Sequence, residues 1–299
     1  MFDLVTVGNF TIDIVTSNRI VNPSPTLGGP PAYVSVSARQ LGLRVSVISK
    51  VGKDFSKGYV SWLKANDIDL SGLKLVKNAL TTSFTSQYRN GKRKLQLRSQ
   101  APPILLEDIP TSLTSKAIHV SPVANEISQE LVHKLKTLTS ILSLDPQGFV
   151  RKFDKKGNMH LTRWKDTNVL EEIDIYKSTL KEIKAITRMP NLRMSMKNIH
   201  DVGSKIVLVT RGLKGSTLLF DEKFCNIPSC KPKVVKDYTG AGDTFIGAFL
   251  AEYVKGKDPV WCACVGSVAA SVKIESIGPT LLGGKEEIYK RATKILKKI

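Results

Sequence analysis

The sequence is poor in acidic residues, in cysteine and in long apolar runs, and each shortage argues against a class of protein. No apolar stretch approaches the ~20 residues that a membrane-spanning helix needs. The N-terminus lacks a basic segment followed by a long apolar stretch, so we expect no secretory signal and a cytoplasmic location. The pattern G-x-x-x-x-G-K-[ST] does not occur, which argues against a phosphate-binding loop of the Walker type. What is present, 41% apolar and 24% charged residues, is typical of a globular protein.

The shortage of acidic residues leaves a large positive charge. The chain has 45 Lys and Arg residues against 26 Asp and Glu residues, which gives a net charge of +19. Such an excess is found in some nucleic-acid and membrane-surface proteins. Here the basic residues are dispersed, with local concentrations only at 92–94, 151–156 and 294–298. No zinc-finger spacing or basic region before heptads is present. We interpret the charge as a solvated surface that favours anionic small molecules, with nucleic-acid binding as the disfavoured alternative.

The four cysteines do not form a recognisable metal site. Their spacings, C-x4-C for Cys225 and Cys230 and C-x-C for Cys262 and Cys264, are not those of familiar zinc sites. Cys262 and Cys264 lie in an apolar segment that is typical of a buried helix, where cysteine packs as a small hydrophobe. A disulfide between Cys225 and Cys230 remains open.

Short apolar runs alternate with segments of helical periodicity along most of the chain. The predicted strands are 2–10, 44–52, 117–120, 140–145, 173–177 and 205–210. The predicted helices are 32–41, 55–65, 126–138, 180–187, 195–204 and 244–254. This alternation predicts an α/β fold with a mostly parallel sheet that is covered by helices on both faces.

Three segments break the alternation and are predicted to form hairpins. They are 11–21, then 81–99 with Asn90–Gly91 as a tight-turn pair, and 153–164, which turns at Gly157–Asn158. Strands with few apolar residues on one face suit a small sheet that stands off the main body. Since no linker divides the chain, we predict one domain over 1–299, with lid segments at about 11–26 and 81–99.

The stretch "DYTGAGDTFIGAF" (237–249) carries the most specific chemical signal. Gly240 and Gly242 let the backbone approach a ligand closely, and successive N–H groups in such a turn bind anions. A helix that follows directly adds its free N–H groups and the positive end of its dipole. A phosphate is therefore expected on the amides of Ala241, Gly242 and Asp243. The simpler alternative is that Asp243 only caps the helix.

An aspartate beside a phosphate repels it, and this arrangement needs a chemical reason. It is explained if Asp243 accepts the proton of a hydroxyl group that attacks the phosphorus, while the amides stabilise the charge on the transferred group. Together these features indicate a kinase.

The same stretch resembles the C-terminal motif of the ribokinase-like (PfkB) carbohydrate kinases. Further matches follow in family order: "VGNFTIDIV" from 7, "LGGPPAYVSVSARQLG" from 27, the pattern of Gly52, Asp54 and Gly58, "LVTRGLKGSTLLF" from 208, and "GPT" from 278. The resemblance covers almost the whole chain. It implies a three-layer sandwich with a mostly parallel central sheet and a small β lid, and an enzyme that transfers the γ-phosphate of ATP.

The resemblance also implies roles for individual residues. Asp243 is the catalytic base, and Gly240, Ala241 and Gly242 form the anion hole. The sugar site takes Asp13, Asn9, Gly28 and Gly29, and the ATP site takes Thr210, Gly212, Gly215 and Ser267. The family's N-x-x-E motif becomes Thr179-x-x-Glu182, so Glu182 is the residue that would organise Mg²⁺, although the asparagine is absent. A surface position on a helix is the alternative for Glu182.

Two departures bear on the substrate. Tyr33 stands where many members have an asparagine, which disfavours ribokinase and fructokinase. The segments "DPQGFVR" (145–151) and 81–104 resemble the myo-inositol kinase branch. This resemblance makes myo-inositol the best candidate, with Gln147 and Arg151 as further substrate contacts. As alternatives, Gln147 belongs to a turn, and Arg151 is a solvated charge or contacts the phosphates of ATP.

Other functions remain as alternatives. A nucleoside kinase, of the cytidine or adenosine type, would stack lid aromatics on a base, and Phe10, Phe84 and Tyr88 keep this option open. A 2-keto-3-deoxygluconate kinase is a second enzyme alternative. A catalytically silent ligand-binding protein is the non-enzyme alternative. In this family lid strands sometimes pair between subunits, so a homodimer formed through the lid is a further prediction.

Overall fold

The computed structural model describes residues 1–17, 23–89, 92–164, 166–281 and 283–299. Its strands are β1 (Phe2–Val7), β2 (Thr11–Ser17), β3 (Thr26–Gly28), β4 (Val45–Gly52), β5 (Ile68–Val76), β6 (Thr82–Arg89), β7 (Lys92–Ser99), β8 (Ser115–Val120), β9 (Thr139–Leu144), β10 (Arg151–Phe153), β11 (Met159–Leu161), β12 (Ile175–Thr179), β13 (Ile206–Thr210), β14 (Ser216–Phe220) and β15 (Lys223–Ile227). Its α-helices are α1 (Pro30–Gln40), α2 (Lys57–Ala65), α3 (Gln129–Lys136), α4 (Gln147–Val150), α5 (Leu180–Thr187), α6 (Leu192–Val202), α7 (Ala241–Tyr253), α8 (Pro259–Ile274) and α9 (Lys285–Leu296).

The main sheet has nine strands among the described residues, in the order β15-β14-β13-β12-β9-β8-β1-β4-β5. From β13 to β5 all neighbouring strands run parallel. The strands β14 and β15 pair antiparallel at one edge. Parallel strands end at the same edge of a sheet, so the segments that follow β1, β8, β9 and β12 converge there.

Helices cover both faces of this sheet, as predicted. One apolar core joins the sheet to α1, α7, α8 and α9, and the other joins it to α3, α5 and α6. The strands in the middle of the sheet are buried on both faces, which is why they read as continuous apolar runs. The predicted three-layer α/β architecture is thus confirmed.

Two predicted helices begin two or three residues later than expected, because the acidic residues at their predicted starts bind loops instead. The side chain of Ser56 caps α2, while Asp54 accepts hydrogen bonds from the N–H and hydroxyl of Thr81 at 2.7 and 2.8 Å. In the same way Ser128 caps α3, and the buried carboxylate of Glu126 accepts from backbone amides of the preceding loop. The elements β3, β5, β14, β15, α4 and α9 were not predicted.

The small sheet has the order β3-β2-β6-β7. The hairpin predicted at 11–21 extends further than expected, because β2 continues to Ser17 and its antiparallel partner is β3, with β6 parallel on its other side. The predicted hairpins β6–β7 and β10–β11 are confirmed. Residues 18–21 and the Asn90–Gly91 turn lie outside the described residues.

The four cysteines are free, so Cys225 and Cys230 form no disulfide, and Cys262 and Cys264 are buried in α8 as predicted. In the part of the chain that the structure describes, no helix combines the length and apolarity needed to cross a membrane.

Candidate active site

The glycine turn leads directly into α7. Gly240 is the N-cap residue, with the left-handed φ of 75°, and α7 begins at Ala241. Among the described residues no side-chain hydrogen bond caps this helix, so the alternative that Asp243 caps it is wrong. A Cβ atom on Gly240 would lie 2.3 Å from the ring of Tyr33, so only glycine fits here. The Ala241 N–H donates to the Tyr238 backbone oxygen at 3.3 Å. The amides that follow it in the first turn of α7 are the ones that a helix start offers to an anion.

The Asp243 carboxylate lies within a network of buried polar side chains. Its Oδ1 accepts a hydrogen bond from Gln147 Nε2 at 3.0 Å, and the same nitrogen also donates to Asp145 Oδ2 at 3.0 Å. The Lys177 ammonium forms an ion pair with Asp145 Oδ2. These two side chains are 2% and 0% exposed. A Cβ atom on Gly242 would lie 3.0 Å from Lys177 Nζ, so this ammonium adjoins the first turn of α7.

The surroundings of Asp243 change how readily it ionises. Burial raises the pKa of Asp243, and the negative charge of Asp145 raises it further. The positive charges of Lys177 and Arg151 oppose this, but the net pKa lies above the ordinary carboxyl value. Burial alone lowers the pKa of Lys177, yet the charges of Asp145 and Asp243 raise it above its usual range, so Lys177 stays protonated. The result is a carboxyl group with a raised pKa beside a protonated ammonium.

Arg151 and Glu182 form a second ion pair beside this network. Arg151 Nη2 lies 3.3 Å from Glu182 Oε1, and the side chains are 12% and 4% exposed. The other carboxylate oxygen of Glu182 accepts from the N–H and hydroxyl of Thr179 at 2.9 and 2.7 Å. Thr179 therefore takes the helix-capping role in the position where the family has asparagine. The alternatives of a surface Glu182 and a solvated Arg151 are both wrong.

The residues present fit Mg²⁺ only as an ion that arrives with phosphate groups. Within the described ranges there is no group of three or more His, Cys, Asp or Glu residues that could hold a metal. Both oxygens of Glu182 already have protein partners. Since Mg²⁺ usually keeps several waters and binds one or two carboxylates plus substrate phosphates, this site is compatible with such an ion.

A further buried ion pair holds the loop that leads into the glycine turn. Lys273 Nζ donates to the backbone oxygen and Oδ2 of Asp237 at 3.1 and 3.2 Å, and to the backbone oxygen of Ser276 at 3.4 Å. It also lies 5.5 Å from the centre of the Tyr33 ring. Burial lowers the pKa of Lys273, and the negative charge of Asp237 only partly offsets this effect.

The four predicted sugar-binding residues lie where β1 and the small sheet meet α1. Asn9 Oδ1 accepts from the Lys50 N–H at 3.0 Å. Asp13 Oδ1 accepts from the Thr11 hydroxyl at 2.7 Å, and a Cβ atom on Gly28 would lie 2.3 Å from Asp13 Oδ2. Gly29 is the N-cap of α1, with φ of 86°. Lys273 is close enough to both Asp13 and Asp243 for their charges to affect it.

The predicted ATP-binding residues lie at the other end of this sheet edge. Thr210 ends β13, and Gly212 and Gly215 bound the short turn before β14 with left-handed φ values of 60° and 78°. The Ser267 hydroxyl instead donates to the Pro228 backbone oxygen at 2.8 Å, so it holds the loop after β15. Exposed apolar side chains come from this loop and its two neighbours: Leu213, Val234 and Ile277.

Sequence reasoning named Asp243, Gln147, Arg151 and Glu182, and the structure joins them in two contacts, Gln147 with Asp243 and Arg151 with Glu182. The charge of Arg151 also acts on Asp243. Sequence reasoning missed Lys177 and Lys273, and it took Asp145 for a strand end. A lysine inside the predicted buried strand 173–177 is the signal that points to Lys177. For Lys273, which ends the apolar segment of α8, the sequence offers no comparable signal.

Comparisons with known proteins agree with this geometry. The chain matches the pfkB family of carbohydrate kinases over residues 1–283. It is 28% identical to a cytidine kinase of Thermococcus kodakarensis over 89% of this chain and 94% of that protein. It is 27% identical to an inositol 3-kinase of Arabidopsis thaliana over 91% and 74% of the two chains.

Solved structures show the same fold. A pyrophosphate-dependent kinase of the ribokinase family, in a sulfate complex, has 25% identity and a TM-score of 0.81, and covers 96% of this chain and 99% of that chain. A structure from E. coli in complex with ATP and Mg²⁺ has 20% identity and a TM-score of 0.78, with 98% and 100% coverage. The fold is therefore ribokinase-like. The chain belongs to the pfkB family of carbohydrate kinases, and it is a phosphotransferase that acts on the hydroxyl group of a small molecule.

Proposed function

We propose that the protein transfers the γ-phosphate of ATP to a hydroxyl group of a cyclic polyol, with myo-inositol as the best candidate. The observation that carries the chemistry is the position of the Asp243 carboxylate. It lies in the first turn of α7, where no side-chain cap is found among the described residues, and it accepts a hydrogen bond from Gln147. Such a helix start binds a phosphoryl group, and a carboxylate at the same place accepts a proton.

In the proposed reaction Asp243 takes the proton of the acceptor hydroxyl. The oxygen then forms a bond to the γ-phosphorus in line, while the bond from this phosphorus to the bridging oxygen of ADP breaks. The amides of residues 240–243 stabilise the charge on the transferred group. Mg²⁺ would be held by the donor phosphates and Glu182, and would neutralise phosphate charge. The small sheet, with segments 11–26 and 81–99, is proposed to cover the acceptor and exclude water within one domain.

The lid contacts support a polyol over a nucleoside as the acceptor. Phe10 is buried against Phe55, with ring centres 5.7 Å apart, and Phe84 packs on Phe153 at 5.9 Å. Both aromatic rings therefore stabilise the protein and are not placed to stack on a base. Tyr88 packs on Tyr238, next to the glycine turn. The likeness to the Arabidopsis inositol 3-kinase supports the same choice.

A nucleoside kinase is the second candidate, and the 28% identity to the cytidine kinase of Thermococcus kodakarensis favours it. The donor is a separate question, since one solved neighbour is a pyrophosphate-dependent kinase. The exposed apolar side chains of Leu213, Val234 and Ile277 beside the predicted ATP site support a donor with an apolar base. Pairing of two lids in a homodimer is also a proposal, which sedimentation would test.

A panel assay tests this proposal. Phosphorylation of myo-inositol, cytidine, adenosine and 2-keto-3-deoxygluconate is measured with ATP and with pyrophosphate, each with Mg²⁺. We expect the highest kcat/KM for myo-inositol with ATP. We expect Asp243→Asn to lower kcat by roughly 10²–10⁴-fold, the usual effect of losing a general base. A faster reaction with cytidine would reject the polyol, and normal turnover by a folded Asp243→Asn variant would reject the mechanism.

A further inference from the structure

Two neighbouring strands place opposite charges beneath the glycine turn. The parallel strands β9 and β12 pair Leu144 with Tyr176, so the residues that follow, Asp145 and Lys177, lie next to each other. They form a fully buried ion pair between the end of β9 and the middle of β12. Burying two charges costs several kcal/mol per ion before their attraction is counted, so such a pair needs a reason beyond stability.

We propose that the Lys177–Asp145 pair is a positioning element that holds the Asp243 carboxylate in place and sets how readily it ionises. The inference rests on the proposed function, in which Asp243 is the catalytic base. Neither residue is expected to touch the substrate, because both side chains are almost completely buried. Both act through their contacts with the first turn of α7 and with Gln147.

Contacts on two sides connect the pair to Asp243. On one side the amide nitrogen of Gln147 donates to Asp145 and to Asp243, with both distances 3.0 Å. Since one nitrogen serves both carboxylates, a shift of Asp145 moves the donor of Asp243. On the other side Lys177 Nζ adjoins Gly242, the residue before Asp243, where even a Cβ atom would lie only 3.0 Å away.

The charged groups around Asp243 come from several elements, and their effects differ in sign. They are Lys177 on β12, Asp145 after β9, Arg151 at the start of β10, Glu182 on α5, which acts on Lys177, and Lys273 on α8. Among the described residues with the largest effects, the charge of Asp145 raises the pKa of Asp243, while the charges of Lys177 and Arg151 lower it. The two members of the buried pair therefore act on Asp243 in opposite directions.

Opposite signs make the proposal testable by pH profiles. The acid limb of kcat/KM reports the ionisation of an essential base in the free enzyme. With Asp145→Asn we expect this limb to move to lower pH, and with Lys177→Met to higher pH, each by on the order of one unit. The double variant is expected to fall between the two. The donor phosphates also titrate, but they do so equally with every variant. The quantity to compare is therefore the displacement of each variant's acid limb from that of the wild type.

Lys50→Met is the matched control. Lys50 forms an ion pair with the buried Asp108 at 2.6 Å, and Lys74 is a second partner of that carboxylate at 2.9 Å. Loss of Lys50 therefore removes a buried lysine from an ion pair that does not face Asp243. We expect Lys50→Met to lower stability and leave the acid limb unchanged. If Lys177→Met does not fold, the near-isosteric Asp145→Asn variant still decides the question, because it leaves no uncompensated anion.

The inference is overturned if the acid limb of Asp145→Asn stays at the wild-type pH or moves upward. It is also overturned if Lys50→Met moves the limb as far as the two pair variants do. These results are distinguishable from failure of the proposed function, which would appear as normal turnover in Asp243→Asn. An inactive Asp243→Asn variant with no displacement in Asp145→Asn would reject this inference alone.

Discussion

Two buried lysines adjoin the same glycine turn, and they are held in different ways. Lys273 donates to a carboxylate and to two backbone oxygens, and burial keeps its pKa low. Lys177 pairs with Asp145, lies near a second carboxylate, and has a raised pKa. The first lysine is therefore an anchor between two loops, whereas the second acts through its charge. Similar burial of the same side chain thus supports different roles, and the partners determine which role it has.

The strongest test of this comparison removes each lysine with and without its partner. We expect Lys273→Met and Lys177→Met each to lower the free energy of unfolding by about 3–5 kcal/mol, because a buried carboxylate loses its counter-charge. Adding Asp145→Asn to Lys177→Met should restore most of this loss. Adding Asp237→Asn to Lys273→Met should restore less, since the backbone oxygens of Asp237 and Ser276 stay unpaired. Urea unfolding curves measure all four variants, and equal recovery in both double variants would contradict the distinction.

Substitution of Gly240 tests how tightly the glycine turn is packed on the side that faces Tyr33. Its φ of 75° opposes a side chain, and so does the Tyr33 ring, which would lie 2.3 Å from a Cβ atom placed there. Gly256 has almost the same φ, 76°, but among the described residues nothing lies within 4 Å of a Cβ atom there. We expect Gly256→Ala to cost about 1–2 kcal/mol for the backbone alone. Gly240→Ala should cost about 1–3 kcal/mol more, from overpacking.

Thermal or urea unfolding of the two alanine variants gives this difference directly. Adding Tyr33→Leu to Gly240→Ala should recover part of the extra loss, because the smaller side chain makes room. Equal losses at Gly240 and Gly256 would show that Tyr33 does not confine the turn.

The sequence predicted the alternating elements, and it singled out Asp243 and its glycines as a candidate site, because each depends on local pattern or on a motif. It did not predict the charge network, since Asp145 and Lys177 lie 32 positions apart and meet only through the β9–β12 register. The start of α2 was misplaced for a similar reason, because Asp54 binds Thr81 across the lid boundary. Likewise no local pattern indicates that Ser267 holds the Pro228 loop.

Substitution of Gly242 tests the other side of the turn, which faces Lys177. A Cβ atom there would lie 3.0 Å from Lys177 Nζ, and Lys177 is the one neighbour within 4 Å among the described residues outside the adjoining backbone of α7. The higher helix propensity of alanine stabilises the Gly242→Ala variant by about 0.5–1 kcal/mol, which offsets much of the free energy lost when the lysine is displaced. We expect little change in stability but a roughly 10-fold lower kcat, since small misplacements of catalytic groups are costly. Gly58→Ala in α2, which meets only Ser56 Oγ at 3.3 Å within the described part of the chain, is the control. An unchanged kcat in Gly242→Ala would mean that the Lys177 position is not critical.

The ionised Asp243 side chain is expected to lower the stability of the folded protein at neutral pH. Burial and the Asp145 charge raise its pKa in the folded protein, so folding favours the protonated carboxyl. This stabilisation is complete below the ordinary carboxyl pKa of about 3.9 and is lost as pH rises through the raised folded value. Asp243→Asn, which has no such charge, should therefore have a higher Tm than wild type at neutral pH, with a gap that closes as the pH falls towards about 4. Lys273→Met should have a lower Tm at both pH values. A lower Tm for Asp243→Asn at neutral pH would show that the ionised carboxylate stabilises the network. The contrast between Lys273 as an anchor and Lys177 as a residue that acts through its charge would then fail.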